Sequence, residues 1–402
     1  MNTFARVAGL ILLSALPAAA QPSGSITFEE ALALARQSAP ALVGARMRLA
    51  EARARVTEAS LPLSSNPEIE LETGRRDGDA PADYGVGVEQ DLDLPSRRRA
   101  RIDASRAGMA REESRIEEIE RSLLREVATA FVGGLAARER AAVASSGMSL
   151  AEEALRIAKR RHAAGDVARL DVNLARTALA RASAEKRAAE AELGARTTEL
   201  QVLLGAADPI AISGSLRELP PMKTAGLAER ATDRADVRVL DAEIAEAEAE
   251  RRIAETLRWP DFGLRASYER EEGDRILTGG IGITLPLFDR GQAEMAIANA
   301  RASRLRAERA ALVRTIEAEV RGALAALELR RTSSSNYAET VMPLIEENEA
   351  LALESYEVGQ IGLAELLLVR RDGLDARLAF IDQLIETRLA EIDLRARAGV
   401  RE

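Results

Sequence analysis

Residues 259–292, WPDFGLRASYEREEGDRILTGGIGITLPLFDRGQ, form the stretch on which the fold depends. Apolar residues alternate with polar residues or glycine in both of its arms, which is the period of a β-strand with one apolar and one polar face. The apolar positions are Phe262, Leu264, Ala266 and Tyr268 in the first arm and Leu277, Ile281, Ile283, Leu285 and Leu287 in the second. Each arm has about ten residues, the length that a tilted strand needs to cross a bilayer. The pattern therefore predicts a membrane hairpin, although a soluble hairpin on a globular domain would show the same alternation.

The composition is typical of a helical protein. Of the 402 residues, 47% are hydrophobic and 30% are charged but only 3% are aromatic, which favours long helices and coiled coils over a large aromatic core. The net charge of −9 argues against a nucleic-acid partner. With one histidine and no cysteine, the chain has few soft metal ligands, so we expect neither a metal site nor a cofactor.

The first 20 residues are predicted to be a signal peptide. Arg6 precedes an apolar run at 7–16, and Ala18, Ala19 and Ala20 offer a small-residue cleavage site. No other stretch of the sequence is apolar enough for a membrane helix, so any membrane crossing must be made by strands.

The first half of the chain places another hairpin between predicted helices. A helix over 26–61, broken at Pro40, precedes an alternating hairpin at 67–94, whose polar face is acidic. Helices are predicted over 97–162 and 169–204, with Gly133, Gly134 and Gly147 as possible bends or interruptions of the first. The tip between these two helices lies near Gly165, a residue suited to a left-handed turn.

The second half follows the same plan. A helix predicted at 225–258 precedes the hairpin at 260–288, and a long helical stretch then carries an expected break at 333–336. The second tip lies near Gly359 and the last helix ends the chain. Gly165 and Gly359 are 194 positions apart, and Gly87 and Gly282 are 195 apart. The sequence thus predicts two structural repeats, 21–205 and 225–402, joined by a linker at 206–224.

Four strands cannot close a barrel, and an open sheet edge cannot face lipid. Eight strands would leave a filled interior, whereas three chains would supply twelve strands and room for a lumen. If the hairpins cross a membrane, several copies of the chain must therefore share one barrel.

Several segments resemble the TolC family of outer-membrane efflux proteins, over essentially the whole chain after the signal peptide. The most specific is PLFDRGQ at 286–292, and the turn segments RHAAGDVARLDVNLAR at 161–176 and YEVGQIGLAELLLVRR at 356–371 are also similar. Asn66-Pro67-Glu68 and VEQDLDLPSRRRARIDA at 88–104 look closest to the CzcC-like branch, which serves heavy-metal efflux by RND pumps.

The resemblance implies a mainly α protein with a small β part. A homotrimer would form a 12-stranded β-barrel in the lipid of the outer membrane of a Gram-negative bacterium, and its coiled-coil hairpins would form an α-helical tunnel in the periplasm. A periplasmic adaptor would dock at the tips, on Gly165, Asp166, Gly359 and Gln360, and would link them to an inner-membrane RND pump. The chain would be a passive exit duct, not an enzyme.

The same resemblance implies gate and pore residues beyond the tips, namely Asp171, Tyr356, Glu365 and Leu368. A hydrogen bond between Tyr356 and Asp171 would help to close the pore, and Glu365 from three chains would make an acidic ring that favours cations. The family's bracing arginine falls on Ile361 and a second acidic position falls on Leu368, so apolar side chains would narrow this pore. For Asp171 and Glu365, a solvated helix face remains the alternative.

Two other functions stay open at this stage. Within the duct class, the cargo is a heavy-metal cation, a drug or a protein of type I secretion. In a different class, the chain is a secreted coiled-coil scaffold with soluble hairpins. A receptor or adhesin has little support, because the hairpin loops are short.

Overall fold

The structure, a computed structural model, describes residues 24–74, 82–220, 224, 226–227, 231–271 and 274–400. Within these residues the chain is mainly helical, with one sheet of four strands and another of two. This agrees with the mainly α fold with a small β part that the sequence predicts. The predicted signal peptide, the loop at 75–81 and the turn residues Glu272 and Gly273 lie outside the described residues.

Strand β1 (Ser25–Ile26) leads into helices α1 (Phe28–Ser38) and α2 (Pro40–Ala59). The Thr27 side chain accepts a hydrogen bond from Glu30 N, and Glu30 reaches back to Thr27 N, which is a capping box that fixes where α1 begins. Pro40 occupies the first turn of α2, where a missing N–H has no cost. The predicted break at Pro40 is confirmed.

After the first hairpin, the chain forms α3 (Pro95–Ala164) and α4 (Arg169–Leu204). With 70 residues, α3 is about 105 Å long at ~1.5 Å per residue. It is continuous, so the expectation that Gly133, Gly134 or Gly147 interrupts it is wrong. Gly134 instead permits close packing, since a Cβ there would lie 2.3 Å from Ile212 Cδ1, and one on Gly147 would lie 3.2 Å from Leu374 Cδ1.

The linker is tied to the start of the chain by β4 (Ala211–Ile212), which pairs in parallel with β1. A 3₁₀ turn at Ala231–Asp233 then precedes α5 (Ala235–Thr256), so this helix begins later than predicted. The second hairpin consists of β5 (Asp261–Glu271) and β6 (Asp274–Thr284), and it leads into α6 (Gln292–Asn336).

The break predicted at 333–336 is absent. The α-helix continues to Asn336, and a single π-helical turn, Tyr337–Val341, joins it to α7 (Met342–Glu357). The Ser334 hydroxyl donates to Arg331 O at 3.1 Å, so this side chain turns back onto the helix and does not end it. The last helix is α8 (Leu363–Arg397).

The four-stranded sheet has the order β2 (Glu68–Gly74), β3 (Asp83–Leu92), β5, β6, with antiparallel neighbours. Its register pairs Leu71 with Val86 and Leu264 with Ile281, which brings most of the apolar residues of the four strands onto one face, with Ile276 as an exception. The opposite face carries Glu70, Glu89 and Arg265. The predicted alternation is confirmed within the strands, but Leu285 and Leu287 of the predicted second arm lie beyond the end of β6. Both edge strands, β2 and β6, are exposed along their length.

Near the sheet, α3 packs against α2 and α5, and α5 packs against α6. Towards the turns, the same helix α3 packs between α4 and α8, and α8 packs against α7. The lateral order of this lower layer is therefore α4, α3, α8, α7. None of the described helices is both long and apolar enough to span a membrane.

Three arginines tie the start of α3 to both hairpins. Arg97 forms an ion pair with Asp261 of β5, and Arg101 pairs with Asp93 at 2.9 Å. Arg98 donates to the carbonyls of Ser60 and Leu61 at 2.5 and 3.0 Å, which satisfies acceptors at the end of α2. These contacts fix the hairpins relative to the helical layer.

Candidate functional site

The two turns that end the helical layer have the same backbone form. Gly165 has φ 86°, and Asp166 N donates to Arg161 O at 2.9 Å. Gly359 has φ 82°, and Gln360 N donates to Ser355 O at 2.8 Å. A left-handed residue followed by such a bond closes a helix and favours glycine, which has no Cβ. The predicted left-handed turns are confirmed, and Gly165, Asp166, Gly359 and Gln360 are all exposed.

A cluster of small and aliphatic side chains lies directly behind these turns. It joins all four helices of the lower layer, because α3, α4, α7 and α8 each contribute to it. Its buried members are Ala154, Leu155, Ile157, Ala158, Val172, Ala175, Ala352, Tyr356, Leu363 and Leu366. The two turns are therefore held together by hydrophobic burial, which their polar and glycine-rich sequences do not suggest.

Tyr356 is the one aromatic member of that cluster and is fully buried. Arg161 lies over its ring, with Cζ 5.1 Å from the centroid, and donates from Nη1 to the Tyr356 carbonyl at 3.0 Å. A Cβ on Gly359 would lie 3.4 Å from Arg161 Nη2. This arginine of α3 therefore ties the end of the first helical hairpin to the turn of the second.

The predicted hydrogen bond between Tyr356 and Asp171 is wrong for this chain. Tyr356 Oη has no hydrogen-bond partner within the described residues. Burial raises the pKa of the Tyr356 phenol above its usual value, Arg161 opposes that rise, and the charge of Asp171 adds to it. Asp171 is thus near enough to act on Tyr356 electrostatically without bonding to it.

The other predicted pore residues lie near the starts of their helices. Asp171 is half-buried in the first turn of α4, and Glu365 is exposed in the first turn of α8. Leu368 is 58% exposed and lies three residues after Glu365, so the two share one face of α8. Their roles in a pore stay predictions.

Two arginines of α8 make tertiary contacts that the sequence did not predict. Arg370 is 6% exposed and donates to Leu150 O of α3 at 2.5 Å, and burial lowers its pKa. Arg377 forms two 2.6 Å hydrogen bonds with Glu349 of α7. Neither residue stands out in an Arg-rich sequence, because only the tertiary contact separates a buried arginine from the many exposed ones.

Among the described residues, no group of three or more His, Asp or Glu side chains is arranged to hold a metal ion. His162 is exposed, and its Nδ1 lies 2.9 Å from Val167 O within its own turn.

The sequence profile of the outer membrane efflux protein family matches this chain twice, over residues 31–206 and 228–400. The chain belongs to this family. It is therefore an efflux channel of the outer membrane, a passive duct and not an enzyme. The resemblance to TolC-type proteins inferred from the sequence is confirmed.

Two curated relatives are similar over most of the chain. The cobalt-zinc-cadmium resistance protein CzcC of Cupriavidus metallidurans is 25% identical over 375 residues, which cover 91% of this chain and 88% of CzcC. The nickel-cobalt-cadmium resistance protein NccC of Alcaligenes xylosoxydans is 28% identical over 292 residues, covering 70% of this chain and 65% of NccC.

Solved structures of outer-membrane channels share the fold. CusC superposes with a TM-score of 0.77 at 19% identity, covering 92% of each chain. The Campylobacter jejuni CmeC channel has a TM-score of 0.76 at 18% identity, covering 99% of this chain and 94% of CmeC. The Neisseria gonorrhoeae MtrE channel has the same TM-score at 19% identity, covering 92% and 88%.

Proposed function

We propose that this efflux protein is the homotrimeric exit duct of a tripartite pump and that it exports heavy-metal cations. A periplasmic adaptor would join its turns to an inner-membrane RND pump, which supplies the energy. The metal assignment is supported by the names of the two curated relatives, which are cobalt-zinc-cadmium and nickel-cobalt-cadmium resistance proteins. Multidrug export and type I secretion are the alternatives within the same class.

The main observation in support of a trimeric duct is that the sheet of a single chain has unpaired edge strands. It has four strands, two exposed edges and one continuous apolar face, on which Ile69 is 66% and Leu71 is 71% exposed. Unpaired strand edges are not tolerated in lipid, so edge β2 of one copy must pair with edge β6 of the next. Three copies would give twelve strands with the apolar face towards lipid and the acidic face towards a lumen.

The helices extend this barrel into the periplasm as a tunnel. We assign Glu365 to an acidic ring near its inner end, where three copies would attract cations, and Asp171 and Tyr356 to the gate beside it. Leu368 would narrow the pore next to them, and the exposed turns at Gly165, Asp166, Gly359 and Gln360 would receive the adaptor.

We also interpret the chain as two structural repeats, 21–205 and 225–402, with 206–224 as the linker. Each half contains a hairpin, a long helix, a left-handed glycine turn and a second helix in the same order. The two repeats would each supply two strands and one helical hairpin to the trimer.

A deletion strain tests the cargo. Strains that lack the gene are challenged with zinc, cobalt, cadmium, nickel, copper and a panel of drugs, and the full-length protein is then restored from a plasmid. Sensitivity to the metals that the plasmid reverses supports the proposal. Sensitivity to drugs alone would remove the metal assignment and leave the duct.

The mass of the purified protein tests the duct. In detergent, the chain is expected to run as a trimer with β signal in circular dichroism. The competing scaffold, a secreted coiled coil with soluble hairpins, predicts a protein that stays in aqueous extract without detergent. A water-soluble monomer would contradict the duct and support that scaffold.

A further inference from the structure

The outermost row of the four-stranded sheet carries two arginines on its apolar face. Tyr84 of β3 pairs with Arg270 of β5, and Arg270 pairs with Arg275 of β6. Because residues paired across strands lie on the same face of a sheet, the three side chains stand side by side. Thr73 of β2 pairs with Tyr84 and completes the row, and all four residues are exposed. The apolar face therefore ends in a polar row with two positive charges.

The charged residues of the sheet are divided between its two faces. The carboxylates of the strands all lie on the opposite, polar face: Glu68, Glu70, Glu72, Asp83, Glu89, Asp91, Asp261, Glu269, Glu271 and Asp274. Among the described residues of the four strands, Arg270 and Arg275 are the only charged residues on the apolar face. Neither arginine has an ion-pair partner in the part of the chain that the structure describes. The two positive charges thus have no counter-charge on their own face.

The Tyr84 hydroxyl lies near both arginines. It interacts with the Arg270 guanidinium across the strands, and the charges of Arg270 and Arg275 both act on it. A guanidinium presents a planar fork of N–H donors that matches the oxygens of a phosphate group, and a phenol adds one O–H donor. Two such forks beside one hydroxyl are a donor set suited to a phosphate.

The row lies at the end of the sheet that is farthest from the helices. The β5–β6 hairpin turns just beyond it, whereas α5 and α6 attach to the other end of the same strands. From Phe262, near that other end, to Arg270 is about 26 Å along the strand at ~3.3 Å per residue, or about 20 Å across the membrane at a tilt of ~40°. Trp259 and Phe288, which are 53% and 92% exposed, flank the helical end. An apolar band about 25 Å tall therefore ends near the two arginines.

The residues next to the row could hold an acyl chain. Tyr268 pairs with Leu277 two residues below the arginines, about 6–7 Å along each strand. Leu277 is 82% exposed, and it lies on the same face as Arg275. A ligand with a phosphate above a hydrocarbon chain would match both rows, whereas a free phosphate ion would use only the upper one.

We propose that Arg270, Arg275 and Tyr84 bind a phosphate group of the outer-leaflet glycolipid, one site on each copy of the chain. With the helices in the periplasm, this end of the sheet reaches the outer leaflet of the outer membrane. That leaflet consists mainly of lipopolysaccharide, whose membrane anchor, lipid A, carries phosphates. The proposal rests on the barrel proposed above, because the apolar face must be turned towards lipid.

Native mass spectrometry tests the choice of ligand. The full-length protein is purified in a nonionic detergent, stripped of copurifying lipid and mixed with lipid A that carries two phosphates. We expect the trimer to bind this lipid severalfold better than lipid A from which both phosphates have been removed. Equal binding of the two lipids would overturn the proposal.

A pair of variants tests the residues. Arg270→Gln together with Arg275→Gln is expected to lower the bound fraction of bisphosphorylated lipid A severalfold and to leave binding of the dephosphorylated lipid unchanged. Arg265→Gln is the matched control, because Arg265 lies on the same strand as Arg270 but on the polar face. It should bind the lipid as the natural chain does. The same loss in both variants would overturn the assignment to the apolar face.

Competition separates a lipid site from a simple anion site. Inorganic phosphate at millimolar concentration is expected to displace little of the bisphosphorylated lipid, because it makes no contact with the row of Tyr268 and Leu277. Complete displacement would overturn the lipid as the ligand and show a site for free anions.

The same spectra report the mass of the assembly. A trimer that does not prefer the phosphorylated lipid would overturn this proposal and leave the duct standing, whereas a monomer would overturn the duct itself. If the double variant fails to assemble, the comparison of the two lipids on the natural chain decides the proposal alone.

Discussion

At the scale of single residues, Arg161 and Tyr356 show how the turns are held. The guanidinium of Arg161 gains a cation–π contact and a charged hydrogen bond, and the ring of Tyr356 fills the cluster behind both turns. Both contacts connect α3 to α7, across the layer rather than along one helical hairpin. The turns therefore act as one unit in this chain.

Removing Arg161 is expected to loosen that unit. Arg161→Ala loses a contact and a hydrogen bond that together are worth about 1–3 kcal/mol. We expect the turns to close the pore less tightly, and this is measured as a higher mean channel conductance in planar bilayers. Arg160→Ala, one residue earlier and exposed, is the control and should leave conductance unchanged.

Tyr356→Phe is expected to leave the channel conductance unchanged, because the Tyr356 hydroxyl has no partner to lose among the described residues. Raised conductance in this variant would instead support the hydrogen bond to Asp171 that the family resemblance implies.

The raised pKa of the Tyr356 hydroxyl also predicts that the turns lose stability at alkaline pH. Its folded-state pKa lies above the ordinary value of 10.0, so stability from the neutral ring is complete below pH 10 and is lost as pH rises through the raised pKa. Alkaline opening should therefore be seen in the natural chain and be absent from Tyr356→Phe. Equal opening of both in a conductance–pH series would assign it to other groups.

At the scale of elements, Gly291 explains why the segment 286–292 has so constrained a sequence. This residue is the N-cap of α6, with φ 73° in the left-handed region, and it lies against the end of α5. A Cβ there would stand 2.4 Å from the Ala254 carbonyl oxygen, which is backbone and cannot rotate away. Only glycine lets the second hairpin return to its helix at this point.

Gly291→Ala is therefore expected to cost about 2–4 kcal/mol, from the strained backbone and the contact with α5 together. The measurement is the midpoint of thermal unfolding and the amount of assembled protein. Gly322→Ala is the matched control, because Gly322 lies inside α6 with open space around it. The substitution Gly322→Ala should stabilise the protein by about 0.5–1 kcal/mol. A similar loss of stability in both variants would contradict this account.

At the scale of the whole molecule, the sheet is the part that the single chain leaves incomplete. Ile281 is 69% exposed on the apolar face of edge strand β6, whereas Thr278 lies on the opposite face of the same strand. The proposed trimer turns the first side chain towards lipid and the second towards a lumen.

Ile281→Arg is expected to reduce the channel in the outer membrane sharply, since a charge on a lipid-facing strand costs about 2–4 kcal/mol near the midplane. Thr278→Arg should be tolerated. Quantitative immunoblots of outer-membrane fractions measure both. If the two variants assemble equally, the faces of the sheet are assigned wrongly.

The sequence by itself determined the elements and their order. Strand alternation at 259–292 and left-handed glycines at 165 and 359 are local features, because a period of two or a missing Cβ acts within a few residues of its own position. The same locality placed Pro40 at a helix start. The family resemblance came from segments of this kind, and it identified the class of protein.

Local rules failed where a distant segment supplied the missing partner. Gly134 and Gly147 look like helix breakers, but Ile212 and Leu374 pack onto them and the helix continues. The serines before Tyr337 also look like helix breakers, but the helix continues through them. The hydroxyl of Tyr337, just after them, donates to Ala376 O in another helix.

Only the tertiary structure decided which residues hold the turns. Arg161 meets Tyr356 across 195 positions, and Arg370 meets Leu150 across 220. The chain has 56 lysines and arginines, and the residues next to any one of them in the sequence do not show which has such a partner. Burial and pairing are properties of the packed helices, so they appear only when α3, α7 and α8 lie side by side.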